Sequence, residues 1–263
     1  MRRLESGIEL SATAAADHLL SSSIEPHEHT VAWASTDGSV AFGGSDEGPG
    51  LVDWLTVIGP GASELLLYAL AELPSRPEGI SVPRGTDLGG IRLGEYEQWD
   101  QMVRGSEVGT LALVPGEERV VAMTTSPAGD GEIIELLTRA NPTHSVHPGD
   151  AGIEVWARVR DSAGVLVGCG AYCRRIGGAG WLGSVATLPS ARGQSIGVAV
   201  SAWLTRRSLA ARDQLCALHH WHPNHPARRI YRRLGYTTTH RMMSGKWPGE
   251  GKNASGTSGH GIG

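Results

Sequence analysis

The residues from Val185 to Ala199 could bind an anion. A strand-like run enters Pro189, a loop carries Arg192, Gly193 and Gly197, and a helix begins near Ser195. Loop amides at a helix N-terminus, beside the positive end of the dipole, form an anion site. Glycines there let a phosphate approach the backbone, or serve only to shape a turn and close packing. A second run, His222 to Tyr236, gathers Arg228, Arg229, Arg232 and Arg233 around Tyr231. The arginines are either a solvated face or ligands for phosphate. Tyr231 is either core or a proton donor, since a phenol near pKa ~10 donates rather than abstracts at neutral pH. His219, His220, His222 and His225 lie nearby. With Pro223 bending the path and no acidic residue or Cys close behind, no metal site is expected.

Upstream, Leu10–Ser22 reads as a helix, and Val31–Ala34, Val40–Phe42 and Leu51–Ile58 as strands. Gly59-Pro60-Gly61 stops the last of these. Ser63 then caps a helix with apolar Leu66, Leu67, Leu70 and Leu73. Ile80–Pro83 and Thr110–Val114 read as further strands, and Gly89-Gly90 lacks the Lys-Ser/Thr of a P-loop. A second unit starts near Ser126-Pro127 with a helix over Glu132–Arg139. Three strands follow as a meander, Ile153–Arg160, Val165–Cys173 and Trp181–Leu188, with Gly-rich turns between them. A helix over Ser195–Arg212, a strand over Leu215–His219, a helix over Pro226–Leu234 ended by Gly235, and a strand over Tyr236–Lys246 complete it. The strand–glycine–helix run at Leu51–Leu73 echoes that at Trp181–Arg212, as a duplicated fold would.

The loop Arg192, Gly193, Gln194, Ser195, Ile196, Gly197 resembles motif A of the GCN5-related N-acetyltransferases (GNAT), the superfamily's pyrophosphate-binding loop. Ser195 stands where that family usually has Gly. The run Asn224, Ala227, Tyr231, Leu234, Gly235, Tyr236 resembles motif B, and the two come in the family's order. The acidic first half, with Trp54 to Pro60, is similar to the two-part FR47-like branch, whose first half is degenerate. The resemblance implies an α/β GNAT fold, a mixed central sheet flanked by helices, in tandem. Residues 1–125 would be a degenerate GNAT-like half, 126–247 the catalytic domain and 248–263 a disordered tail. It implies acetyl-CoA as cosubstrate, held by Val185, Ala186 and Thr187 along the pantetheine, by Arg192–Gly197 at the pyrophosphate, and by Asn224 and Arg228. Tyr231 would protonate the leaving thiolate. The family often places a Glu on the strand before motif A, and Trp181–Leu188 has none. The base is therefore left between His220 and water held by Ser184. The expected acceptor is the primary amine of a small molecule, such as an antibiotic-like cation; the acidic first half would suit a cation of that kind, a polyamine or a lysine side chain. The alternatives are a non-catalytic acyl-CoA sensor or partner module and a protein N-acetyltransferase.

Composition supports this reading. The chain has 263 residues, 40% of them hydrophobic, enough for a packed core and against general disorder. The net charge of −4 hides 22 acidic against 8 basic residues up to Ala140, and 5 against 15 beyond. The basic half is the one carrying the anion loop. Few aromatics interleave its basic residues, so nucleic acid is not the expected partner. Apolar runs fall far short of the ~20 residues of a membrane helix, and no signal peptide is read. A cytoplasmic location and no membrane partner are expected, and a homodimer is compatible. Cys169, Cys173 and Cys216 read as free structural thiols.

Overall fold

The computed structural model describes residues 1–4, 9–10, 17, 19, 30–45, 47–123, 127–175, 179–211 and 215–248. The strands are β1 (Arg2–Leu4), β2 (Val31–Ala34), β3 (Val40–Gly43), β4 (Trp54–Ile58), β5 (Gly79–Pro83) and β6 (Tyr96–Gly105) in the first half. β7 (Val121–Met123), β8 (Ile153–Arg160), β9 (Leu166–Arg174), β10 (Gly180–Thr187), β11 (Leu215–Trp221) and β12 (Thr237–Lys246) follow. The helices are α1 (Ala62–Glu72), α2 (Pro127–Ala140), α3 (Ile196–Ala210) and α4 (His225–Arg233). One mixed sheet joins all the strands in the order β1-β2-β3-β4-β5-β12-β6-β11-β10-β9-β8-β7.

Read inward from either edge, the sheet repeats itself. β1 to β5 and β7 to β11 follow the same order, each with a helix after its fourth strand and one parallel pair, β4 with β5 and β10 with β11. The last strand of each half then crosses over. β12 pairs with β5, β6 pairs with β11, and β6 and β12 pair with each other. The halves are interlocked by exchanged strands, and the α/β architecture expected from the sequence is present as one continuous sheet.

Glycines on β9 set how closely α3 packs. A Cβ on Gly168 would stand 2.3 Å from Ile196 Cγ2, and one on Gly170 would stand 2.9 Å from Leu204 Cδ1. β9 is otherwise buried along nearly its whole length, so the helix lies flush on an apolar floor. Ile196 is the first residue of α3, and its contact with Gly168 therefore seats the helix N-terminus.

Several sequence expectations differ from the structure. Thr110–Val114 is irregular rather than a strand. Its carbonyls go instead to Arg206, which donates to Leu111 O and Ala112 O and pairs with Glu117 at 2.7 Å. α1 buries Ala62, Leu65, Leu66 and Ala69 and leaves Leu67 exposed. Its N-cap is Gly61, and the Ser63 hydroxyl donates to Asp87 O. The expected Leu10–Ser22 helix lies mostly, and the tail beyond Pro248 wholly, outside the described residues. β6 escaped the sequence reading because Asp100, Gln101 and Arg104 are polar yet buried on it. Arg104 is satisfied by Leu234 O and Gly109 O, at 2.9 and 2.6 Å.

Gly168→Ala should overpack the α3 contact. The expected cost is about 1–3 kcal/mol, read as a melting temperature several degrees lower in a thermal denaturation scan. An unchanged melting temperature would show that Ile196 swings aside freely.

Candidate active site

The site begins where β10 and β11 part. They pair at Gly180↔Cys216 and Trp181↔Ala217 only, and then diverge. β10 is also bulged between Gly183 and Ala186, where Ser184 takes φ 49°. Between the parted strands lies a cavity of about 650 Å³. Its walls come from β10, the loop to α3, the first turns of α3, the end of β11, and α4. Val185, Ala186 and Thr187 form one wall.

At one end the cavity meets the N-terminus of α3. The loop turns through Gly193 (φ 82°) and Ser195 (φ 61°). Ala199 N donates to Ser195 O, so the amides of Ile196, Gly197 and Val198 precede the first intrahelical bond. No side chain caps this helix, and its first turn has no acidic residue. Three amides and roughly half a positive charge thus face the cavity mouth. Arg192, Gly193, Ser195, Ile196 and Gly197 line it, while Gln194 and Arg228 lie outside the wall. Arg228 instead contacts His225 Nδ1 at 3.3 Å. Gly193 is explained by its backbone angle. Gly197 is not, because a Cβ there would meet Ile230 Cδ1 at an ordinary 3.4 Å. Protein packing alone does not demand a glycine at that place, whereas a close-lying anion would.

The first half offers an instructive contrast. Its matching junction, Gly59-Pro60-Gly61 into α1, is occupied by the protein itself. Ser39 Oγ accepts from Gly61 N at 2.8 Å, and a Cβ on Gly61 would stand 2.2 Å from Asp37 Oδ2. Hydrogen bonds from Ser35 and Ser39 hold the Asp37 carboxyl below its usual range. A carboxylate already lies where an anion would bind.

Deeper in, β11 and α4 supply titratable groups. Asn224 caps α4, its Oδ1 accepting from Ala227 N at 3.1 Å, and it also lines the cavity. That cap fixes the helix which presents Tyr231. Tyr231 is 7% exposed and borders the cavity, its ring 5.8 Å from that of Tyr236 and 6.3 Å from that of His220. Burial pushes its phenol up to about 12, with Ser201 acting in the opposite sense. His220 places Nδ1 2.9 Å from Trp221 O. A carbonyl only accepts, so in the neutral ring Nδ1 carries the proton and Nε2 carries a lone pair. That Nε2 is buried without a hydrogen-bond partner. Burial lowers the pKa of His220, so the ring is neutral at pH 7. His219 Nε2 is likewise unpartnered, its ring lying 4.1 Å from that of Trp99 and 4.4 Å from that of Trp181, and burial keeps it neutral too. His219 and His220 both line the cavity, and the Nε2 of each has no hydrogen-bond partner in the protein.

Ser184 is placed differently from the role considered for it. Its Oγ donates to Val146 O at 2.8 Å and accepts from Val146 N at 3.0 Å. A Cβ on Gly183 would stand 2.3 Å from Val146 Cγ2. Gly183 and Ser184 therefore clamp the loop after α2 to the bulge, and that hydroxyl is spent on protein. The same loop brings Asn141 to the cavity wall. Asn141 and Ser201 also line the cavity without a motif to mark them, and His219 joins them from the run of four histidines. Ser201 had a faint signal, as a polar residue among Ala and Val on the buried side of α3. Among the described residues no His, Cys, Asp or Glu cluster could hold a metal. No helix there is long and apolar enough to cross a membrane.

Residues 151–238 match the family model of the acetyltransferase (GNAT) domain. No curated protein matches the chain in sequence. Similar solved structures include the GCN5-related N-acetyltransferase from Sphaerobacter thermophilus, at 16% identity and TM-score 0.55, covering 91% of this chain and 90% of that one. The GCN5-related N-acetyltransferase from Kribbella flavida is 19% identical with TM-score 0.54, covering 80% and 87%. An acetyltransferase from the GNAT family of Colwellia psychrerythraea is 12% identical with TM-score 0.54, covering 94% and 98%. The coverage extends the shared fold to both halves.

Ser195 pays a conformational penalty at φ 61° that glycine would not. Ser195→Gly should retain CoA affinity within about threefold and leave the melting temperature within a few degrees, by calorimetry and thermal scan. A tenfold loss of affinity would make the hydroxyl itself a ligand contact.

Proposed function

We propose that this protein is an acetyl-CoA-dependent N-acyltransferase acting on the primary amine of a small molecule. One observation carries the reading. The uncapped N-terminus of α3, His220 with its unpartnered Nε2, and Tyr231 all belong to the wall of a single cavity. Its volume of about 650 Å³ suits a pantetheine arm with a small acceptor.

The α3 amides and Arg192 bind the diphosphate. The edge of β10 that turns away from β11 holds the pantetheine and aligns the thioester. A neutral amine attacks the thioester carbonyl carbon, and its N–H proton passes to His220 Nε2. The C–S bond breaks as Tyr231 gives its proton to sulfur. Transfer of the imidazolium proton to the tyrosinate through water resets both groups. The acidic residues of the first half do not line the cavity among the described residues, so selection of a cationic acceptor rests on longer-range charge.

Isothermal calorimetry should find one CoA per chain, since Asp37 fills the first half's junction. Gly197→Glu should abolish that binding by setting a carboxylate against the diphosphate. No binding to the parent protein at millimolar CoA would sink the proposal.

Tyr231→Phe should keep CoA affinity and lower turnover by ~10²-fold or more, measured as thiol release from acetyl-CoA across a panel of amines. Unchanged turnover with a lower melting temperature would make Tyr231 a core residue. Tight CoA binding with no turnover on any amine would favour a sensor.

A further inference from the structure

The first half sends a charge to the second half's site. β6, its last strand, runs antiparallel to β11 with Asp100 directly opposite His220. Opposed residues share a face of the sheet, with Cβ atoms about 4.5–5.5 Å apart. Asp100 is 2% exposed, and its carboxylate is gripped from two sides. Arg84, just after β5, donates to Oδ1, and His222 Nδ1 stands 3.2 Å from Oδ2. Arg84 is itself fixed, its Nη2 donating to Trp99 O at 3.2 Å and its backbone amide to Arg241 O at 2.8 Å. Burial opposes ionisation of Asp100, and the bonds from His222 and Arg84 outweigh it, keeping the carboxyl below its usual range.

His220 is faced by few charged groups. Arg228 on α4 and His222 beyond the end of β11 disfavour its imidazolium, and Asp100 favours it. The Tyr231 ring on α4 is neutral, as is neighbouring His219. Nδ1 is tied to Trp221 O, so a proton taken up enters at Nε2, which has no hydrogen-bond partner in the protein.

We infer that Asp100 is a positioning residue lent by the first half: fixed by Arg84 and His222, it sets how strongly His220 can hold the proton it takes from the acceptor amine. The inference rests on the reading of His220 as proton acceptor. It gives the exchanged strand a chemical task, because the base and its counter-charge come from different halves. Arg84 trims the effect by sharing the carboxylate.

The test is an NMR titration of the full chain with histidine labelled at Cε1, the His220 signal being assigned by its loss in His220→Gln. Asp100→Asn should move the His220 midpoint to lower pH by roughly half a unit or more. Arg84→Gln should move it to higher pH. CoA affinity should stay unchanged in both, because neither residue lines the cavity. A merely structural seam would give no shift, or shifts of one sign, and either outcome overturns the inference. If Asp100→Asn does not fold, Arg84→Gln is set against Arg84→Lys, which keeps the charge. Only the former should raise the midpoint, and equal midpoints overturn the inference. A parent protein that binds no CoA removes the acyltransferase reading while the midpoints still decide the coupling, so the two failures are told apart.

Discussion

Everything at the site depends on the place where β10 and β11 stop pairing. Two parallel strands joined at only two residue pairs leave the facing edges of their remaining lengths without sheet partners. That arrangement is costly unless the strands are held apart by something other than each other. The bulge in β10 re-aims its backbone, Ser184 accepts a positive φ, and Val146 is wedged over Gly183 with both its backbone groups tied to the Ser184 hydroxyl. On the other face, Gly168 and Gly170 draw α3 down onto β9 so that its N-terminus opens into the gap. The strain is local and the surroundings over-determine it, as is common where backbone geometry serves a ligand.

The duplicated layout shows what separates an open junction from a filled one. Both halves run a strand through a glycine-bearing loop into a helix. In the first, Asp37 and Ser39 from the β2–β3 turn satisfy the loop and place a negative charge on it. In the second, no side chain caps α3, and a Cβ on Gly193 would meet nothing within 4 Å. The difference lies in a few atoms rather than in the fold. The exchange of β6 and β12 then makes the filled half indispensable to the open one, because β6 is the strand that flanks β11.

Local features were legible in the residue order, and long-range ones were not. The meander β8 to β10, the α3 loop and the run from Asn224 to Tyr236 each lie within a few turns of chain, where turn residues, glycines and apolar spacing speak directly. The backbone partner of Ser184 lies 38 positions away, and no local pattern points to it. β6 was hidden for a related reason. Its buried Asp100, Gln101 and Arg104 look like surface residues until their distant partners are known. The histidines of β11 could be listed from sequence, but which nitrogen is free depends on Trp221 O for His220, and the neutrality of His219 depends on the burial that comes with its Trp99 and Trp181 contacts.

Burial acts on His220 and Tyr231 with a single cause and two opposite signs. It disfavours charge, so it lowers the pKa of His220 and raises that of Tyr231. At pH 7 the first is a free base and the second an intact acid, the states that the proposed acyl transfer requires. A phenol at about 12 would be a poor donor to a thiolate in water, where a thiol ionises near ~8.5. The cavity changes that comparison. The thiol of Cys169, buried in the sheet behind Ser184, is itself pushed up to about 12 by burial alone. A thiolate shielded from water by the bound ligand would be more basic in the same sense, which narrows the gap between the proposed donor and its leaving group.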